Sequence, residues 1–120
     1  MSDADPLSIN CWILGDDYMH VFVVEISRNK VVDHLKKAIK VEAHPLLNDI
    51  VASTLILYKV SIEYTPQLAE HVTALKLNEK LLPFDELSEV FANKLLRKHV
   101  HVVVETPFGA WAYIDLSSLR

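Results

Sequence analysis

The sequence predicts an α+β fold in which a mixed sheet packs on one main helix, with additional short helices. Three observations carry that prediction. Stretches whose apolar residues alternate with period two are interleaved with stretches of helical spacing. Hydrophobic residues make up 51% of the chain and charged residues 23%, enough apolar area to offset chain entropy in a globular protein. A length of 120 residues fits one domain without a second independent core.

The first strand spans Leu7 to Ile13, where apolar residues recur at the alternate positions Leu7, Ile9, Cys11 and Ile13. Gly15, Asp16 and Asp17 break the pattern as a turn. His20 to Ile26, rich in β-branched and aromatic residues, is the second strand of a hairpin, with Phe22, Val24 and Ile26 on one side and Val21, Val23 and Glu25 on the other. Val31 to Val41 switches to helical spacing through Val32, Leu35 and Ile39, with Asn29 as the expected cap and His44-Pro45 ending the run. Thr54 to Val60 is a third strand, in which Leu55 and Leu57 alternate against Ile56 and Tyr58.

Thr65-Pro66 starts a short helix with Leu68, Val72 and Leu75 along one face. Asp85 is the expected cap of another, whose buried stripe is Leu87, Val90, Phe91 and Leu95. His99 to Glu105 is the most apolar strand, closed by Pro107 and Gly109. A hairpin, a helix across it and later strands completing a mixed sheet form the β-grasp arrangement. The folded unit is assigned to residues 1–107. Residues 108–120, with Trp111 and Tyr113, are either an extra edge strand or the start of a connection to a downstream domain.

Composition narrows function. A formal net charge of -4 provides no global positive field to displace counterions from phosphates, so direct nucleic-acid binding is not expected. Lys30, Lys36, Lys37 and Lys40 lie around one helix and are read as its solvated face. Cys11 is the single cysteine, which precludes an internal disulfide and reads as a buried core thiol rather than a nucleophile. No apolar run approaches the roughly 20 residues of a membrane span. Asp3 and Asp5 replace the basic start of a signal peptide, and Ser8 and Asn10 interrupt the stretch that follows, so no export signal is read.

No catalytic constellation, metal site or cofactor is expected. His99 and His101 share the i, i+2 spacing that aims two imidazoles at one point, but two ligands do not close a site, and Cys11 belongs to the other face. The serines lack the strained, glycine-flanked turn of a nucleophile, and the chain has too few glycines for a phosphate-cradling loop.

Four segments in register resemble a known family. They are Val31-Val32-Asp33-His34-Leu35-Lys36-Lys37-Ala38-Ile39-Lys40, Leu55-Ile56-Leu57-Tyr58-Lys59-Val60, Asp85-Glu86-Leu87-Ser88-Glu89-Val90-Phe91 and His99-Val100-His101-Val102-Val103-Val104. Together they resemble the N-terminal domain of Crinkler effectors. Leu55 to Lys59 looks like a variant of the LFLAK motif, with Ile56 and Tyr58 where the motif name has Phe and Ala. The resemblance implies a ubiquitin-like N-terminal domain fused to variable C-terminal effector domains, in secreted proteins of oomycetes and fungi that act in host cells, often in the nucleus. No Gly-Gly tail is present, so conjugation to lysine is not expected.

If Leu55, Leu57, Val100, Val102 and Val104 face the main helix, alternation places Ile56, Tyr58, His101 and Val103 on the outer face of the sheet. Two readings of that face stand: a partner-binding patch, or a surface covered in cis by the C-terminal strand or a neighbouring domain. The expected function is that of a non-catalytic targeting and protein-interaction domain with a host or cognate protein as partner. The alternative is an intracellular ubiquitin-like adaptor or self-assembly module, with a homodimer as one form.

Overall fold

The computed structural model describes residues 6–107, leaving Gly109, Trp111, Tyr113 and the rest of 108–120 outside the described residues. The predicted α+β class and mixed sheet are present. Strands β1 (Leu7–Ile13), β2 (Phe22–Ile26), β3 (Ile56–Glu63) and β4 (His99–Glu105) lie in the order β2-β1-β4-β3. The β1/β2 and β3/β4 pairs are antiparallel, whereas β1 and β4 run parallel, with Cys11, Trp12 and Ile13 opposite Val102, Val103 and Val104. The helices are α1 (Val32–Glu42), α2 (Leu68–Leu75) and the single turn α3 (Leu87–Val90).

Burial of apolar side chains on both faces of this sheet dominates the packing. On one face, Leu7, Ile9, Cys11, Ile13, Leu57, Val102 and Val104 form the main core with Val32, Leu35 and Ile39 of α1. On the other, Trp12, Tyr58, Ile62, Val100 and Val103 form a second cluster with Leu68 and Val72 of α2. The predicted outer patch is therefore corrected: Tyr58 is 7%, His101 3% and Val103 0% exposed, and Ile56 is half-buried against the second cluster. α2 follows β3 after a short connection and closes that face. Two polar groups beneath α2 are satisfied within the sheet and its first turn: the Trp12 indole N–H donates to the Asp17 carbonyl (3.0 Å), and the Tyr58 hydroxyl donates to Glu105 Oε1 (2.8 Å). Burial, and next the Glu105 carboxylate, hold the Tyr58 phenol above its usual pKa.

Alternation also fails locally. The β3/β4 register shifts between Lys59 and Ile62, so that Lys59 faces Val102 while Ile62 faces Val100. Val100 consequently joins the second cluster, not the α1 face expected for it. His101 turns to β1 and to the loop preceding β4: its Nδ1 accepts the Asn10 amide (3.0 Å), and its Nε2 lies 2.8 Å from the Leu96 carbonyl. Because Nδ1 accepts, Nε2 carries the proton and the ring is neutral. His99 separates from it, with Nδ1 3.0 Å from the Ser61 hydroxyl.

Several boundaries differ from expectation. Val21 and His20 precede β2, since Tyr18–His20 is a 3-10 turn capped by the Asp17 carboxylate. Leu55 precedes β3, which runs on past Val60 to Glu63. Leu75 is exposed at the end of α2, where Lys76 adopts the left-handed conformation (φ 57°). Lys36 is buried along α1, unlike the solvated lysine face expected.

This packing can be tested by substitution and by pH. Leu68→Ala opens a cavity between α2 and the sheet and should cost about 2–5 kcal/mol in urea unfolding; a loss below about 0.5 kcal/mol, the scale of a surface change, would mean that α2 does not cover the face. Burial, opposed by the Leu96 bond, lowers the pKa of His101, so the unfolded chain binds its proton more readily. Its contribution to stability is full above about pH 6.5 and declines as pH falls toward the depressed folded value. His20, beside Asp16, has a raised pKa and adds stability in the opposite sense, lost as pH rises through its folded value. In a His20→Asn background, denaturation midpoints should therefore fall from pH 7 to pH 5 by an increment that His101→Gln removes; an unchanged increment would exclude His101 as its source.

Candidate recognition site

Helix α1 lacks the side-chain cap expected from Asn29, whose Oδ1 instead accepts the Ser27 hydroxyl (2.7 Å). Val31 occupies the N-cap position, and the first free amides of the helix are satisfied by a distant loop. The Val32 amide donates to the Asp85 carbonyl and the Asp33 amide to the Pro83 carbonyl, both at 2.9 Å. Val31 and Glu86 form an antiparallel bridge, and the Leu87 and Ser88 amides donate to the Lys30 and Arg28 carbonyls. Asp85 thus serves through its carbonyl rather than its carboxylate, and Glu86 holds the N-cap position of α3.

The same loop is tied to the sheet on its other side. The Leu81 amide donates to the Leu57 carbonyl (2.9 Å) and the Lys59 amide to the Glu79 carbonyl (3.0 Å). Leu81 and Leu87 are buried in the main core. Between these anchors Leu82 is 61% and Phe84 86% exposed. A turn closed by the Asp85 amide on the Leu82 carbonyl (3.1 Å) holds the two apolar side chains outward. A fixed backbone presenting an exposed aromatic is chemically suited to filling an apolar pocket, because little conformational entropy remains to be lost on binding. Asp33, Asp85 and Glu86 border it, with Asp33 paired to Lys37 at 3.5 Å.

The motif residues Leu55 and Leu57 lie in the main core, Ile56 and Tyr58 against the second cluster, and Lys59 at the sheet edge through its bond to Glu79. Of the sequence-predicted site residues, Ile56, Tyr58 and Val103 therefore come together under α2, Leu55 and Leu57 lie on the α1 face, and His101 is buried against β1 and the Leu96 carbonyl, separate from them. Phe84 carries no periodic signal in the sequence, being a lone aromatic in a loop; the Pro83 beside it and the acidic run after it mark only a turn. Burial pushes the Cys11 thiol well above its usual pKa, and its sulfur donates weakly to the Ile9 carbonyl. Among the described residues no three His, Cys, Asp or Glu side chains converge on a metal position, and no helix is long and apolar enough to cross a membrane.

Comparison with known proteins supplies the relationship. The family model of the Crinkler effector protein N-terminal domain matches residues 7–105. Crinkler effector protein 1 of Rhizophagus irregularis is 30% identical over 103 residues, which cover 84% of this chain and 22% of that protein. The chain thus spans about a fifth of the length of the relative it matches. With all four strands and three helices inside the matched residues, the chain belongs to the family of Crinkler effector protein N-terminal domains.

Proposed function

We propose that this chain is a non-catalytic, ubiquitin-like targeting domain of a secreted effector, which docks the effector in host cells, the nucleus included, by recognising a protein partner. The observation that carries the reading is that the family match takes in every described strand and helix, while the alignment with the longer relative covers only 22% of that protein. Effector chemistry is assigned to a further domain. The ubiquitin-like β-grasp reading is supported by the strand order β2-β1-β4-β3, in which an N-terminal hairpin meets the last strand in parallel and α1 crosses one face.

The non-catalytic reading rests on how the reactive groups are used. The Cys11 thiol is buried and held protonated, and both nitrogens of His101 are committed to the backbone. Docking through Leu82 and Phe84 is supported by their exposure on a tethered turn. The paired change Leu82→Ser and Phe84→Ser tests it in the full-length effector. Stability should change by no more than about 0.5 kcal/mol, while accumulation of the effector in host cells should fall several-fold by quantitative imaging. Undiminished accumulation would remove this turn from recognition, and undiminished accumulation of an effector lacking residues 1–107 would overturn the targeting function itself.

A further inference from the structure

One edge of the sheet is only half occupied. The Leu57 carbonyl and the Lys59 amide point away from β4 and bond to the Glu79–Leu81 segment, which bridges β3 in antiparallel fashion at Tyr58 and Lys80. Further along, the Tyr64 amide points inward to the Lys98 carbonyl (2.8 Å). Peptide groups alternate in direction along a strand: counting back from the inward Tyr64 puts that of Glu63 outward, and Ser61, inside the register shift, takes the same outward direction whether counted from Tyr64 or from Lys59. Among the described residues they have no backbone partner on that side. The Glu79–Leu81 segment does not continue the pairing: the chain reaches it from the left-handed Lys76 at the end of α2, and among the described residues no backbone bond or bridge joins residues 75–78 to β3.

A cleft of about 510 Å³ lies between Val60–Ile62 and the stretch Leu75 to Glu79. Its walls combine an unpaired strand edge with the exposed side chain of Leu75 and the half-buried Leu77. In the cleft itself Lys59 and Lys76 stand against Glu79, with Glu63 on the strand beyond it, so the lysines gather at the end of the groove nearest the cleft. Open amides and carbonyls in a row are matched by another extended backbone, apolar walls by alternate aliphatic side chains, and the lysines by carboxylates.

We propose that this edge of β3 is a docking groove for an extended peptide of a protein partner, in which acidic and aliphatic residues alternate. The peptide would continue the line of the Glu79–Leu81 segment and pair antiparallel to Ser61–Glu63. The inference deepens the docking function and rests on it for the existence of a protein partner; the groove itself is testable without one.

The probe is an octapeptide of alternating aspartate and valine, with its lysine–valine counterpart as charge control, titrated into the isotope-labelled 120-residue chain and followed by NMR. The expected result is saturable shifts of the Ser61 and Glu63 amides, with slowed solvent exchange, for the acidic peptide. Ser61→Pro removes an outward amide at an edge position where proline is tolerated, and should abolish binding with the rest of the amide spectrum preserved. Lys76→Glu should weaken it several-fold. The proposal is overturned if the shifts fall elsewhere or are absent, if the basic peptide binds equally well, or if the same amides shift with protein concentration alone, which would make a second copy the occupant. Failure here leaves targeting in host cells standing, whereas loss of targeting with intact peptide binding would separate the groove from that role.

Discussion

The central strand β4 is buried on both faces, and the arrangement of the rest of the molecule follows from that constraint. It pairs antiparallel with β3 along one edge and, over Val102–Val104, parallel with β1 along the other, where the Asn10 side chain takes up the His99 carbonyl. Its side chains then divide between two apolar clusters. A sheet with such a strand at its centre needs a cover on each side, as parallel pairing in general does. α1, inserted after the hairpin, closes one face. α2, placed soon after β3, closes the other with Leu68 and Val72.

A second dependence links the main helix to the loop that precedes α3. Helix amides left free at an N-terminus must find acceptors, and in α1 those acceptors are the Pro83 and Asp85 carbonyls. The loop is therefore part of the helix start rather than a passive connection. Leu81 and Leu87 anchor it in the core while Phe84, between the two residues whose carbonyls are engaged, is held in water. The same interaction that stabilises the helix thus fixes the backbone that carries an exposed aromatic side chain. That suits a recognition element, since a backbone already ordered loses little entropy on binding.

The strands are legible in the sequence because their signal is local. Leu7–Ile13 and His99–Glu105 are delimited by alternation, β-branching and flanking turn residues, and both sets of limits match. The central run of α1 and the start of the stripe at Leu87 are legible for the same reason. What alternation does not report is whether a face is wet. Val100 to Val104 is apolar at four of five positions, which is the pattern of a strand buried on both sides; the expectation of an exposed patch fails because α2 supplies a cover that its own sequence does not assign to that face. The register shift at Lys59–Ile62 is equally silent, since no glycine or proline marks it. Capping by carbonyls from a loop far along the chain leaves no local signature at all.

With both faces closed, the proposed docking falls to loop tips and strand edges, and these would read different features of a partner. The turn at Leu82–Phe84 offers apolar side chains to a pocket and is indifferent to the partner's backbone. The open edge at Ser61–Glu63 offers backbone groups and demands an extended segment, leaving side-chain selectivity to Leu75, Leu77 and the lysines. Both flank the segment Glu79–Leu81, which bonds to Leu57 and Lys59 within the stretch that resembles the family motif. Burial of Leu57 in one core and Tyr58 in the other fixes the height and twist of β3 at that point, and through the bonds from Lys59 and Leu81 it positions the turn and the edge together. On the proposed docking function, the motif strand would act on recognition indirectly: substitutions within it would alter the spacing of the two surfaces even though most of its own side chains are covered.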